Sequence, residues 1–293
     1  MKPRRILITG ASGLLGGHLC MLARQLGEVY GAYYSHQTLV DGTQPLHWDL
    51  SAETTFLHKL HELQPEIIIH AAVTQVEACE RDPETAERVN VHASRRLAEW
   101  CAQAGARFVY ISSDLVFDGR RGNYNETDEA RPLMLYGKQK LAAEQATLMT
   151  NPRACAVRLP LMYGFPAAGG NNFFLNLITK LQQGERVPVF HDQYRTPGLV
   201  NNMAAAVWEL ACSDFCGLIH FAGATRCSRW EMANLICRLG GWSDALLQSL
   251  AMHDLPLAAP RPQDVSLNCD RAKGFLKTKP LSLEAGLRQA LQV

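Results

Sequence analysis

Over the first 160 residues, short apolar runs alternate with stretches whose apolar residues recur every three or four positions, the two periods that mark buried strands and amphipathic helices. Arg5 to Thr9 reads as a buried parallel strand rich in branched residues. Gly10-Ala11-Ser12-Gly13-Leu14-Leu15-Gly16 follows it and opens a helical pattern through Leu22 and Leu26. Further strands are expected over Glu28 to Tyr34, in a run closed by Trp48-Asp49-Leu50, and over Glu66 to Ala72, Phe108 to Ser112 and Ala154 to Leu159. Helices are expected from about Ala52 to Leu63, from Asp82 with Pro83 behind it to Ala104, and from Tyr136 to about Leu148. Such regular alternation predicts an α/β fold: a Rossmann-like, doubly wound parallel sheet that binds ligands at the carboxyl ends of its strands.

The rhythm changes after Gly164, where Pro166-Ala167-Ala168-Gly169-Gly170 reads as a boundary or lid loop. Asn172 to Gln183, Asn202 to Cys212, Arg229 to Leu239 and Leu283 to Leu291 read as helices, and Leu218 to Ala222 as a strand. The expected division is a dinucleotide-binding domain over 1–164 and a smaller mixed α/β substrate domain mainly over 165–293, with some segments returning to the first. A cleft between them is the natural substrate site.

Composition narrows the class of partner. The 293 residues are 47% hydrophobic and 19% charged, with a net charge of +1, so no global field recruits nucleic acid or an acidic membrane surface. Nine cysteines are odd in number and contain no CxxC pair, which favours reduced thiols in a cytoplasmic protein over a disulfide or zinc framework. Lys2, Arg4 and Arg5 precede an apolar start, but Thr9 and Gly10 interrupt it too soon for a signal peptide. No stretch approaches the length of a membrane span. Glu126, Asp128 and Glu129 read as a charged loop, and no metal is assigned to them.

The candidate chemistry lies at strand ends. Glycines in a strand-turn-helix let the backbone turn tightly beside a pyrophosphate, which the free amides of a helix start attract. The spacing here is GxxGxxG, not GxGxxG, so position in the alternation carries more weight than pattern. Tyr34-Ser35-His36 offers no carboxylate where a ribose-binding acid normally stands; this favours NADP(H) over NAD(H), with a solvated turn as the other reading of His36. Asp49-Leu50 is either an adenine contact or simply a strand end. Tyr136 and Lys140, four apart on a helix, share a face. A neighbouring ammonium would lower the tyrosine pKa toward neutrality and suit it to protonate a carbonyl, while chance surface neighbours remain the alternative.

Several ordered pieces resemble the extended short-chain dehydrogenase/reductases, within them the dTDP-4-dehydrorhamnose reductase group. These are Ile8 to Gly16, Ile69-His70-Ala71-Ala72, Val89-Asn90-Val91, Tyr110 to Gly119, Tyr136 to Leu141, Arg158 to Gly164 and Arg261-Pro262. The resemblance implies a catalytic triad of Ser113, Tyr136 and Lys140. It implies cofactor contacts from Gly10, Ser12, Gly13, Leu14, Leu15, Gly16, Ser35, His36, Asp49, Leu50, Ala71, Ala72, Tyr136 and Lys140. Substrate contacts would come from Thr74, Ser112, Asn171, Asn172, Arg195 and Arg261, with Arg261 facing a nucleotide diphosphate and Asn90 structural. Val73, Leu115 and Glu77 depart from the group's usual residues around the sugar.

The implied activity is reduction of a nucleotide-linked 4-keto-6-deoxysugar by NADPH, most simply dTDP-4-dehydro-L-rhamnose to dTDP-L-rhamnose. Ile111 to Asp114, Asp192 to Pro197 and Arg261-Pro262 also look like the regulatory β subunit of methionine adenosyltransferase, which implies an NADP-binding partner protein. A homodimer or a complex with a partner enzyme is expected accordingly.

Overall fold

A computed structural model describes residues 4–37, 40–257 and 259–293; Lys2 lies outside them. The first half runs β1 (Arg4–Thr9), α1 (Leu14–Ala23), β2 (Gly27–Tyr33), β3 (Thr43–His47), α2 (Glu53–Leu63), β4 (Ile67–His70), α3 (Val76–Arg81), α4 (Pro83–Glu87), α5 (Ala93–Ala104), β5 (Arg107–Ser113), α6 (Leu135–Thr150) and β6 (Cys155–Leu159). The second runs β7 (Met162–Tyr163), α7 (Phe173–Gln182), β8 (Val187–Phe190), β9 (Tyr194–Arg195), β10 (Gly198–Leu199), α8 (Val200–Ala211), β11 (Gly217–His220), β12 (Cys227–Ser228), α9 (Arg229–Gly240), β13 (Leu247–Leu250), α10 (Asp270–Phe275) and α11 (Leu283–Leu291).

Seven strands form one parallel sheet in the order β11-β6-β5-β4-β1-β2-β3. Its strands alternate their side chains between two apolar layers, as the pleat requires. Ile6, Ile8, Ile67, Ile69, Val109 and Ile111 face α1 and α8 through Leu15, Leu19, Met203 and Val207. Leu7, Ile68, Phe108 and Tyr110 face the other layer with Phe56, Leu60, Leu97 and Trp100. Burial on both faces explains why these strands read as continuous apolar runs. The Rossmann-like α/β expectation holds. The sheet order reverses between β1 and β4, and at that switch point a crevice opens at the carboxyl ends.

A third apolar cluster gathers Phe174, Leu177, Val189, Leu247, Ile236 and Leu287 from α7, β8, β13, α9 and α11. The chain also crosses back: β11 pairs with β6 from Gly217 opposite Cys155 to His220 opposite Arg158, and α8 packs on the sheet.

Three details differ from the sequence expectation. The third strand ends at His47, and Trp48 to Leu50 turn inward after it. An additional helix, α3, follows β4. The helical run opened by Pro83 contains a π turn at Arg88–His92, which puts the buried Asn90 inside an otherwise continuous helix; such turns often mark functional segments.

Candidate active site

The glycine turn is built by backbone constraint. Gly10 has φ +69, and a Cβ there would lie 2.8 Å from Ala72 N, so β1 and β4 approach closely only with glycine at this point. A Cβ on Gly16 would run into the Gly10 carbonyl. Gly13 caps α1 without a side chain, so the amides of Leu14, Leu15 and Gly16 stay free at the positive end of the helix. The Leu15 side chain is buried in the core, which leaves its amide as the group available to a ligand.

A hollow of about 480 Å³ runs from this turn past Ala71, Ala72, Val73 and Thr74 to Ser35, His36, Asp49 and Leu50. Gly10, Ser12 and Gly13 form its near wall, and Gly170 reaches it from the second half of the chain. Its shape, its glycine floor and the free helix amides fit a dinucleotide. Asp49 Oδ1 accepts from Ser51 N at 2.8 Å and Ser51 Oγ at 2.6 Å, so the carboxylate braces the turn after β3 as well as lining the groove. The loop after Gly164 lies against α1: Phe165 O meets His18 Nε2 at 3.0 Å, and a Cβ on Gly17 would stand 3.1 Å from Ala168 Cβ.

Beneath the groove, one hydrogen-bonded chain ties β1, β4 and α5 together. Ala72 N donates to Thr9 Oγ1 at 3.1 Å, Thr9 Oγ1 meets His70 Nδ1 at 2.7 Å, His70 Nε2 meets Ser94 Oγ at 3.0 Å, and Ser94 donates to Asn90 O at 2.7 Å. Every donor is used if His70 is neutral with its proton on Nε2. Burial, and then the Lys140 charge, lower its pKa to about 3 and hold that neutral form. Asn90 accepts from Thr74 N at 2.8 Å and donates to Gln139 Oε1 at 2.8 Å, which fixes the segment after β4 against α6.

A second hollow, about 560 Å³, adjoins the first at Gln75. Ser113, Asp114, Leu115, Tyr136, Arg195 and Arg261 line it. Ser113 ends β5, accepts from Leu115 N at 3.1 Å and donates to Asp114 Oδ1 at 3.1 Å. Tyr136 enters from the first turn of α6. Its phenol pKa is pushed up, by burial first and then by the Asp114 carboxylate, against a lowering hydrogen bond from Ser113.

This direction is opposite to the sequence expectation. Lys140 lies on the same helix, but its ammonium donates to Ile111 O at 2.5 Å and sits 4.2 Å over the Tyr110 ring. Burial lowers the Lys140 pKa to about 7, with Glu144 opposing, and its hydrogen bond is spent on β5.

Other candidates are placed differently from expectation. Ser112, one residue from Ser113 and on the opposite face of β5, donates to Glu144 Oε2 at 2.8 Å. Asn172 spends its side chain on capping α7, accepting from Leu175 N at 3.0 Å and donating to Gly164 O at 3.0 Å. Asn171 is exposed and accepts from Asn172 N. Among the described residues, neither hollow has Ser112, Asn171, Asn172 or Lys140 in its wall. Thr74 lines the groove, not the second hollow. Arg195 is buried beside Asp114, with Nε 3.4 Å from Oδ2. Arg261 donates to Glu77 Oε1 at 2.5 Å across the rim, so the arginine expected to face a diphosphate holds a carboxylate instead.

Asp114, Gln193, Arg229 and Asn176 also line the second hollow and were not among the candidates. The matching piece Tyr110 to Gly119, whose resemblance implied Ser113, also contains Asp114, and Gln193 stands two residues before Arg195.

The model of the RmlD substrate binding domain family matches residues 4–293. The chain belongs to that family. Its relatives include the "Probable low-salt glycan biosynthesis reductase Agl14" of Haloferax volcanii, 34% identical over 96% of this chain and 95% of the relative. The methionine adenosyltransferase 2 subunit beta of Mus musculus is 31% identical over 99% of this chain and 88% of its own. Among solved structures, the dTDP-4-dehydrorhamnose reductase of Bacillus anthracis in complex with NADP superposes with TM-score 0.87 at 28% identity, covering 100% of this chain and 99% of that one. No helix among the described residues of this RmlD-family chain is long and apolar enough to cross a membrane.

Proposed function

We propose that the protein reduces a nucleotide-linked 4-keto-6-deoxysugar at the expense of NADPH, most simply dTDP-4-dehydro-L-rhamnose to dTDP-L-rhamnose. In class it is an NAD(P)H-dependent oxidoreductase acting on a ketone or CH–OH group. The observation that carries the reading is the meeting of two hollows at Gln75, one floored by the glycine turn and the other walled by Ser113, Tyr136, Arg195 and Arg261.

Residues mainly of 1–164 would hold the dinucleotide. The amides after Gly13 receive the pyrophosphate, and Ala71 and Ala72 admit the cofactor beside β4. Tyr34-Ser35-His36 lacks an acid to repel a 2′-phosphate, which supports NADP(H). The bound cofactor supplies the hydride. Ser113 positions the substrate carbonyl by turning its hydroxyl proton from Asp114 Oδ1 to the carbonyl oxygen. The raised pKa keeps Tyr136 protonated at neutral pH, the state required of an acid that donates to the developing alkoxide. Lys140 reaches the nicotinamide ribose by leaving the Ile111 carbonyl. Residues mainly of 165–293 complete the substrate wall, where Arg195, and Arg261 once freed from Glu77, present guanidiniums to the diphosphate.

Purified protein mixed with NADPH and dTDP-4-dehydro-L-rhamnose is expected to consume NADPH, and Tyr136→Phe to lower kcat by at least 100-fold with NADPH still bound. No NADPH consumption across a panel of nucleotide 4-ketosugars rejects the reading. The 31% identity to the methionine adenosyltransferase subunit, together with Leu115 in the second hollow and Val73 in the adjoining groove, supports a second reading as a regulatory NADP-binding subunit. That reading requires NADP binding without turnover and co-purification with a partner enzyme.

A further inference from the structure

The second hollow carries one more cation than its acids neutralise. Three guanidiniums, Arg195, Arg229 and Arg261, share its wall with Asp114. Arg195 faces Asp114, and Arg261 is paired with Glu77. Arg229 has no carboxylate within ion-pair distance among the described residues. Its Nε donates to the neutral Gln193 Oε1 at 3.0 Å, its plane lies 4.6 Å from the Phe173 ring centre, and Nη1 is shut from solvent without a partner. The residue also opens α9, a twelve-residue helix, where the positive end of the helix dipole disfavours a cation.

Two amides at that helix start, those of Arg229 and Glu231, are already used. Arg229 N donates to Gln193 O, and Ser228 and Glu231 cap each other. An anion arriving from the hollow would meet the guanidinium in its wall. Burial, and then the charge of Arg195, lower the Arg229 pKa to about 9, with the Asp114 carboxylate opposing from beyond ion-pair distance. Asp114 Oδ2, buried in the same wall, makes no hydrogen bond but stands 3.4 Å from Arg195 Nε, so Arg195 is the guanidinium that answers this carboxylate. Arg229 as a whole is half-buried, but a guanidinium nitrogen shut from solvent without a partner is costly and is retained where a ligand supplies the partner.

We infer that Arg229 is a specificity residue that receives an oxyanion of a nucleotide-linked sugar, from either the nucleotide diphosphate or the carboxylate of a uronate that would take the place of the 6-deoxysugar. The inference rests on the nucleotide-sugar reading above. Calorimetric titration of the full-length protein and Arg229→Gln with dTDP, dTDP-glucose and dTDP-glucuronate tests it, with Arg229→Lys and a thermal melt as controls for folding.

If the diphosphate is the source, Arg229→Gln weakens all three ligands tenfold or more. If a carboxylate is the source, the wild type prefers dTDP-glucuronate over dTDP-glucose, and Arg229→Gln removes that preference while dTDP binds unchanged. Both results support the inference, and partial recovery in Arg229→Lys strengthens it. Equal binding of every ligand by a folded Arg229→Gln and the wild type overturns it. Failure of the wild type to bind any of the three rejects the nucleotide-sugar reading instead.

Discussion

At the scale of single residues, burial sets the protonation of the site more than sequence neighbours do. Tyr136 and Lys140 share a helix face, yet Tyr136 answers to Asp114 and Lys140 to the Ile111 carbonyl. Lys140 has a usual pKa of 10.5 and a folded value of about 7. Between those values the unfolded chain holds one proton more than the folded chain, so stability rises with pH through the window. Relative to Lys140→Met, the wild type is expected to gain about 2 kcal/mol between pH 7 and pH 9, at ~1.4 kcal/mol per pH unit; urea midpoints at the two pH values measure the difference. At the rim, Glu77→Gln removes the carboxylate that engages Arg261. Several-fold tighter binding of dTDP is expected, since Arg261 would no longer have to exchange one anion for another. The places of Ser113 and Tyr136 were legible because a strand end and a helix start are local signals, while the role of Ser113 was implied only by the family resemblance. The Glu77–Arg261 pair spans 184 positions, and no period or spacing announces it.

At the scale of elements, the close contact of β1, α1 and β4 is what makes the groove. Gly16→Ala would drive a methyl into the Gly10 carbonyl, and such overpacking typically costs about 1–3 kcal/mol. A lower melting temperature together with weaker NADPH binding is expected, because the obstructed carbonyl belongs to the turn itself. Strands β1, β4, β5 and β6 could be read directly, since burial on both faces leaves continuous apolar runs. The strands β7, β9, β10 and β12 contain two residues each, too few for any periodicity to appear. The π turn at Asn90 was hidden for a related reason: it adds one residue to a turn while the helical pattern continues on either side.

At the scale of the whole molecule, a buried polar network joins the helix of Tyr136 to the returning strand. Glu144 on α6 takes two bonds from Arg158 on β6, at 2.9 and 2.6 Å, and a third from Ser112. Arg158 Nη1 stands 3.3 Å from His220 Nε2 on β11. Removing one partner leaves the other buried and unpaired, so Glu144→Gln is expected to destabilise the protein by about 3–5 kcal/mol, measurable by chemical unfolding. The same geometry governs what can be cut or exchanged. Strand β11 is made by residues 217–220, yet it closes the sheet begun at Arg4. A fragment ending at Gly164 would bare the edge of β6, an invitation to pair with other chains, and is expected to aggregate on size exclusion. A recombinant that kept the glycine turn and the Tyr136 helix but took its remainder from an unrelated protein would fail for the same reason. The donor segment would have to bring a strand in register with Cys155, and a histidine where His220 meets Arg158, before any new substrate wall could be tried.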